Sequence, residues 1–262
     1  MPTPRIYKTE AIVLRQRKLG EADKIVTLYT PNYGKLEAVA KGVRRPKSRL
    51  AGHLEALTYT SAMLAQGRNL DIVTQAQAVE SFAPLRDDLH RLSRALYAAE
   101  LVDRFSPEGA ESYHIFQLLL ATLRRLAAGA SADVVLRYFE MQLLSLAGFQ
   151  PHLQRCLGCQ RPLTPVPNYF SPATGGVLCP SCGPGTATSR PLSVNALKVL
   201  RLIQGGAFAD VLRVRIAPAL AQEVEFHLRA YLIHVLERDV RSAAFIDRLR
   251  REGVWEPAGV SD

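Results

Sequence analysis

At 262 residues, with 48% hydrophobic and 22% charged side chains and a formal net charge of +9, the chain can hold one large domain or two smaller ones and can fill a sizeable core. No apolar run approaches the ~20 residues of a membrane helix. Met1–Lys8 lacks the apolar stretch of a signal peptide, which sets the expectation of a soluble, cytoplasmic protein. A basic excess of this size asks for a polyanionic partner, nucleic acid before anionic membrane.

Residues 5–41 turn over in short units. Glu10–Leu14 reads as a strand, and Ile25–Tyr29, rich in β-branched residues, as a second. Pro31-Asn32-Tyr33-Gly34 is a turn, because Asn and Gly tolerate positive φ. Lys35–Ala40 alternates polar and apolar as a half-buried strand does. Leu54–Leu64 and Leu70–Val79 are two more strand-like runs, joined by a turn at Gln66-Gly67-Arg68-Asn69. Five strands within residues 1–80 are the content of a small closed barrel, of which the OB-fold is a common five-stranded form.

The charge is concentrated in this segment. Its first 49 residues carry twelve cations against four anions, leaving +8 of the chain's +9. Arg15, Arg17, Lys18, Lys24 and Lys35 belong to strands or their ends. Lys41, Arg44, Arg45, Lys47 and Arg49 share the loop after the third strand, where Gly42 and Pro46 rule out a regular helix. On a mobile loop beside the barrel, such side chains neutralise phosphates and release counterions. Tyr29, Tyr33 and Tyr59 offer candidate faces for base stacking, although packing in the core or a turn is the commoner use of a tyrosine.

From Pro84 the period becomes helical. Leu85, Leu89, Leu92, Leu96 and Ala99 share one face, and the helix continues to Phe105. Ser106-Pro107-Glu108-Gly109 breaks it. Further helices run from Tyr113 to Ala128 and from Ser131, a candidate N-cap, to Gly148. The apolar stretch 134–147 marks the third helix as central to a helical body. Helical patterning returns at Ser193–Gln204, Ala219–Asp239 and Ala243–Arg251. The division is therefore 1–80 barrel, 81–150 helical, 151–188 insert, 189–252 helical again, and 253–262 a disordered tail.

The insert holds all four cysteines, as Cys156-Leu-Gly-Cys159 and Cys179-Pro-Ser-Cys182 with nineteen residues between the pairs. This is the spacing of a structural zinc site. A two-residue gap lets one tight turn aim two sulfurs at one ion, and four thiolates close the tetrahedron. Tyr169–Ser171 and Gly175–Leu178 form a hairpin that joins the two turns. Two disulfides belong to oxidising compartments, a redox CxxC wants a thioredoxin-like context, and an iron–sulfur cluster could also use four cysteines. His152, just upstream, could compete as a ligand and is more often a surface residue.

Together these residues resemble the RecO family of bacterial DNA repair proteins. The likeness runs through Thr9–Arg15, Gly20–Pro31, Gly34–Leu36 and Ala40–Ser48, then Arg137–Leu144, Ala147–Pro151 and Gly175–Cys179, so it spans roughly residues 5–183. The resemblance implies an α+β chain: an N-terminal five-stranded OB-fold barrel followed by an all-helical domain with an embedded four-cysteine zinc ribbon. It implies binding to single- and double-stranded DNA and annealing of complementary strands without ATP. It further implies partnership with RecR, contact with the C-terminal tail of single-strand DNA-binding protein, and RecA loading at the nucleoid. An acidic tail ending in apolar residues needs cations around an apolar pocket. Arg229, Arg238 and Arg241, among Phe226, Tyr231, Leu232, Val235 and Phe245, are the candidates for it.

Catalytic signatures are lacking: there is no P-loop, HExxH or nucleophile elbow. His227 and His234, seven apart, share a helical face without a third ligand. Asp87-Asp88 suits a helix dipole better than a two-metal nuclease. The chain thus reads as a non-enzyme. The alternative is a zinc-ribbon nucleic-acid-binding factor acting in transcription or translation, but Arg161 is the one basic residue between Cys159 and Cys179.

Overall fold

The computed structural model describes residues 6–237 and 241–252, apart from the side chains of residues 241, 244 and 250. The chain divides into two compact units, Met1–Ala130 with Val240–Asp262, and Ser131–Asp239. The tail expected at 253–262 lies outside the described residues.

Five strands open the first unit: β1 (Ile6–Leu19), β2 (Asp23–Thr30), β3 (Gly34–Ala40), β4 (Tyr59–Ala65) and β5 (Asp71–Glu80). They close into a barrel in the order β1-β2-β3-β5-β4, the OB arrangement. β1 is long enough to serve two neighbours. Residues 6–12 pair with β4, and residues 12–19 pair with β2, with a register shift between Val13 and Arg15. β3 closes onto β5 through a short parallel pairing, Ala38 with Asp71 and Val39 with Ile72. Inward-facing Ala11, Val13, Val26, Leu28, Ala38, Ala40 and Leu64 fill the interior.

The fourth strand begins at Tyr59, five residues later than the apolar run starting at Leu54. Leu54 is apolar because it plugs the barrel core from a loop, and Leu57 has a left-handed φ of 68° that no strand residue adopts.

The helices of this unit are α1 (Ala83–Arg86), α2 (Leu89–Phe105) and α3 (Tyr113–Ala127). The single helix expected from Pro84 is broken at Asp87-Asp88, because the Asp88 carboxylate accepts from the backbone N–H groups of His90 and Arg91 and starts α2 afresh. α2 lies on β1 and α3 on β2. β2 is consequently buried on both faces: Thr27 and Tyr29 point outward yet are as buried as Val26 and Leu28. Double-sided burial explains why β2 reads as a near-continuous apolar run.

The second unit holds α4 (Ala132–Leu146), the short strands β6 (Asn168–Ser171), β7 (Gly176–Leu178) and β8 (Arg190–Leu192), then α5 (Val194–Gly205), α6 (Phe208–Leu212) and α7 (Pro218–Leu236). The last helix, α8 (Arg241–Arg251), packs on α2 in the first unit, where Glu100 accepts from the backbone N–H of Ser242 at 2.7 Å. In the second unit, α4 is central, touching α5, α6 and α7. Ser131 precedes α4 without a capping hydrogen bond, whereas Ser112 and Ser193 cap α3 and α5.

Residues 81–130 and 241–252 group with the barrel and not with residues 131–150 and 189–237. Within that group α2 lies on β1, α3 covers the outer face of β2, and α8 packs on α2.

Candidate metal centre and nucleic-acid interface

The hairpin β6–β7, in register from Tyr169↔Leu178 to Ser171↔Gly176, leads directly into Cys179. Each cysteine pair sits on a tight turn: Gln160 N–H donates to Cys156 O at 2.8 Å, and Gly183 N–H to Cys179 O at 2.9 Å. Gly158 packs closely here: a Cβ on it would lie 3.0 Å from the Cys182 Cβ and sulfur. All four Sγ atoms lie within 4.8 Å of one another, and Cys159 Sγ is 3.8 Å from Cys179 Sγ. Sulfurs around a tetrahedral zinc stand at about that separation, since Zn–S is about 2.3 Å.

Electrostatics fit a cation. The Arg161 Nε–H donates to Cys159 Sγ at 3.4 Å and holds that thiol down to about 6. Hydrogen bonds to Cys179 and Cys156 push the Cys182 thiol up to about 12. Four crowded sulfurs cannot all ionise alone, and a bound cation removes that conflict by deprotonating them together. The cysteine cluster can hold a metal ion and its donor set suits zinc. His152 stands apart from it: its backbone bridges to Gly176, and its side chain is exposed.

The barrel cations fall into two groups. Arg15 pairs with Glu37 and Asp103, Arg17 with Glu37, and Lys35 with Asp103; Lys24 donates to Gln16 Oε1. These side chains are engaged within the protein. Lys18, Lys41, Arg45, Lys47 and Arg49 are exposed and form no ion pair among the described residues.

The loop that carries most of them is fastened, not free. Gly42 N–H donates to Asp23 Oδ1 at 2.7 Å and Arg44 N–H to Ala22 O at 2.9 Å. Val43 is buried in the barrel core. Arg44 Nη1 donates to the carbonyls of Gly20 and Glu21 at 3.2 and 2.7 Å. The expectation of a mobile loop is corrected accordingly: hydrogen bonds and a buried valine tie it to the β1–β2 turn.

Tyr29 and Tyr59 are buried, so neither presents a face to bases. Tyr33 is 42% exposed and rests against Tyr7 with ring centroids 4.8 Å apart.

In the second unit an apolar hollow of about 410 Å³ lies between the ribbon strands and α7. Its lining includes Phe170, Arg190, Phe226, His227 and His234. Arg229, expected at such a pocket, is on α7 but not in this lining. Arg238 and the Arg241 side chain lie outside the described residues. Arg190 was missed because only folding of β8 beside β6 brings it to the hollow. His227 is buried against Phe170 and Phe226. Burial pulls its pKa below the ordinary 6.5 despite Glu223 and a hydrogen bond to the Pro191 carbonyl. His234 is exposed at the rim. No described helix is long and apolar enough to cross a membrane.

Comparison with known proteins agrees with this architecture. Residues 3–82 match the family model Recombination protein O N terminal, and residues 86–244 match Recombination protein O C terminal. A DNA repair protein RecO from Roseiflexus sp. (strain RS-1) is 49% identical over 94% of this chain and 87% of its own. That of Dehalococcoides mccartyi (strain CBDB1) is 42% identical over 95% and 98%, and that of Pelotomaculum thermopropionicum 39% over 93% and 94%. With two family models and relatives that cover nearly its whole length, the chain belongs to the RecO family of DNA repair proteins.

Proposed function

We propose that the chain is a recombination mediator with no catalytic chemistry of its own. It binds single- and double-stranded DNA and anneals complementary strands without ATP. With RecR, it helps load RecA onto DNA coated by single-strand binding protein, acting in the cytoplasm at the nucleoid.

The observation that carries this reading is the fastened loop at residues 41–49, with Lys41, Arg45, Lys47 and Arg49 exposed and unpaired among the described residues. Annealing requires strands held by their phosphates with their bases free to pair. Cations do this without sequence preference, and buried Tyr29 and Tyr59 leave little aromatic surface to sequester bases. The cysteine site holds one zinc ion in a closed four-thiolate shell, which is a structural role. The hollow beside α7, apolar with Arg190 at its edge, suits the acidic, apolar-ended tail of the coating protein.

A zinc-ribbon factor of transcription or translation fits less well. Arg161 is the cation within the ribbon loop, and its guanidinium is turned onto Cys159. The deciding experiment is annealing of two complementary oligonucleotides by the purified chain without nucleotide. Acceleration over the uncatalysed rate is expected. No acceleration, or a strict need for ATP, would remove the annealing role.

A further inference from the structure

The geometry points to Arg44 as a positioning residue. It fastens the DNA-binding loop to the β1–β2 turn while its neighbours carry the phosphates. The inference rests on the reading of the barrel as the DNA surface.

Two observations carry it. First, on the usual ligand face of an OB barrel, the outer side of its second and third strands, the second strand is covered here by the chain's own α3. Ile25, Thr27 and Tyr29 are buried there, and the Asp103 carboxylate takes Arg15 and Lys35. The free cations stand instead at the end of the barrel where β1 turns into β2 and β3 leaves. Second, Arg44 differs from its neighbours in that loop. Its backbone N–H bonds Ala22 O, and its Nη1 bridges the carbonyls of Gly20 and Glu21. Arg45 and Lys47 have no such side-chain bonds among the described residues, and a turn from Ser48 N–H to Arg45 O at 2.9 Å sets them outward. Arg44 thereby holds one end of a short loop against a neighbouring turn, so that its cations need not be ordered when DNA arrives.

The test separates latch from contact by salt dependence. A phosphate contact to a single strand contributes about 0.7 to the slope of log affinity against log salt, whereas a latch contributes none. The full chain would be titrated with a labelled oligo-dT over a range of salt, comparing Arg44→Met, Arg45→Gln and Lys47→Gln. A stoichiometric titration at low salt would count binding-competent molecules of each, and hydrogen exchange would follow the amides of Gly42 and Arg44.

Arg45→Gln and Lys47→Gln should each flatten the slope by about 0.7. Arg44→Met should weaken binding about three- to tenfold at every salt concentration, with the parent's slope and stoichiometry and with faster amide exchange. A slope reduced as in Arg45→Gln would make Arg44 a phosphate contact and overturn the inference. Unchanged affinity in Arg44→Met would overturn it too. No effect from Arg45→Gln and Lys47→Gln would instead defeat the reading of the barrel as the DNA surface.

Discussion

Arg15 on β1 donates from Nε to Asp103 Oδ2, near the end of α2, at 2.8 Å. Lys35 Nζ reaches the other oxygen of the same carboxylate at 3.2 Å. Asp103 thus stands where a phosphate would otherwise be drawn to two cations. Arg15 is about half exposed, so the pair stabilises the fold by no more than ~1 kcal/mol.

Asp103→Asn should cost roughly 1–3 kcal/mol, since Lys35 and Asp103 are mostly buried, while removing the negative charge that Arg15 and Lys35 share. Oligonucleotide affinity at low ionic strength should rise about two- to fivefold, with a steeper salt slope. Anisotropy titration at two salt concentrations measures both. Unchanged affinity would place Arg15 and Lys35 beyond the path of the DNA.

Metal analysis of the purified chain should find one zinc per molecule. Cys179→Ser should lower stability by more than ~3 kcal/mol, since a closed thiolate site contributes binding energy directly to folding. The backbone N–H of residue 179, which donates to Cys156 Sγ at 3.2 Å, is kept in the variant, so the loss reports the missing thiolate. An iron chromophore, or full stability after removal of zinc by a chelator, would contradict this.

Gly34 and Gly20 offer a matched pair. Both have positive φ, +61° and +58°, but a Cβ on Gly34 would lie 2.1 Å from the Ala110 carbonyl oxygen, whereas nothing lies within 4 Å of one on Gly20. Gly20→Ala should cost about 1 kcal/mol for the left-handed backbone alone. Gly34→Ala should cost roughly 2–4 kcal/mol, because the α2–α3 loop must also move. Urea denaturation of the two variants measures the difference, and equal costs would show that the loop yields freely.

His227 links stability to pH. Burial lowers its pKa in the folded chain below the unfolded 6.5. Below about pH 6.5 the unfolded state therefore binds more protons than the native state. Stability is full above that pH and falls as the solution is acidified toward the folded pKa. His227→Gln should flatten the stability difference between pH 7.5 and 5.5. Parent and variant share the same cysteine ligands, so their difference isolates the imidazole. Identical pH profiles would show that His227 is not the titrating group.

Much of the fold was legible because its signals are local. The alternation in Lys35–Ala40, the turn at Asn32–Gly34 and the helical period in Tyr113–Ala127 each reside within one element. The two CxxC pairs announced a common cluster of sulfurs because a two-residue gap has the same geometry in any chain. Leu54 and Leu57 misled for the opposite reason: they are apolar like strand residues but serve the core from a loop, and periodicity cannot tell the two apart.

By itself the sequence determined most of the barrel's strands and helices, the pairing of the cysteines into two CxxC turns and the concentration of positive charge near the N-terminus. Only the tertiary structure decided which helices cover the barrel and which of its cations remain available. Arg15 meets Asp103 across 88 positions and Arg17 meets Glu37 across 20. Charge pairing depends on distance through space, which falls to about 3 Å only once the strands and helices have closed on one another.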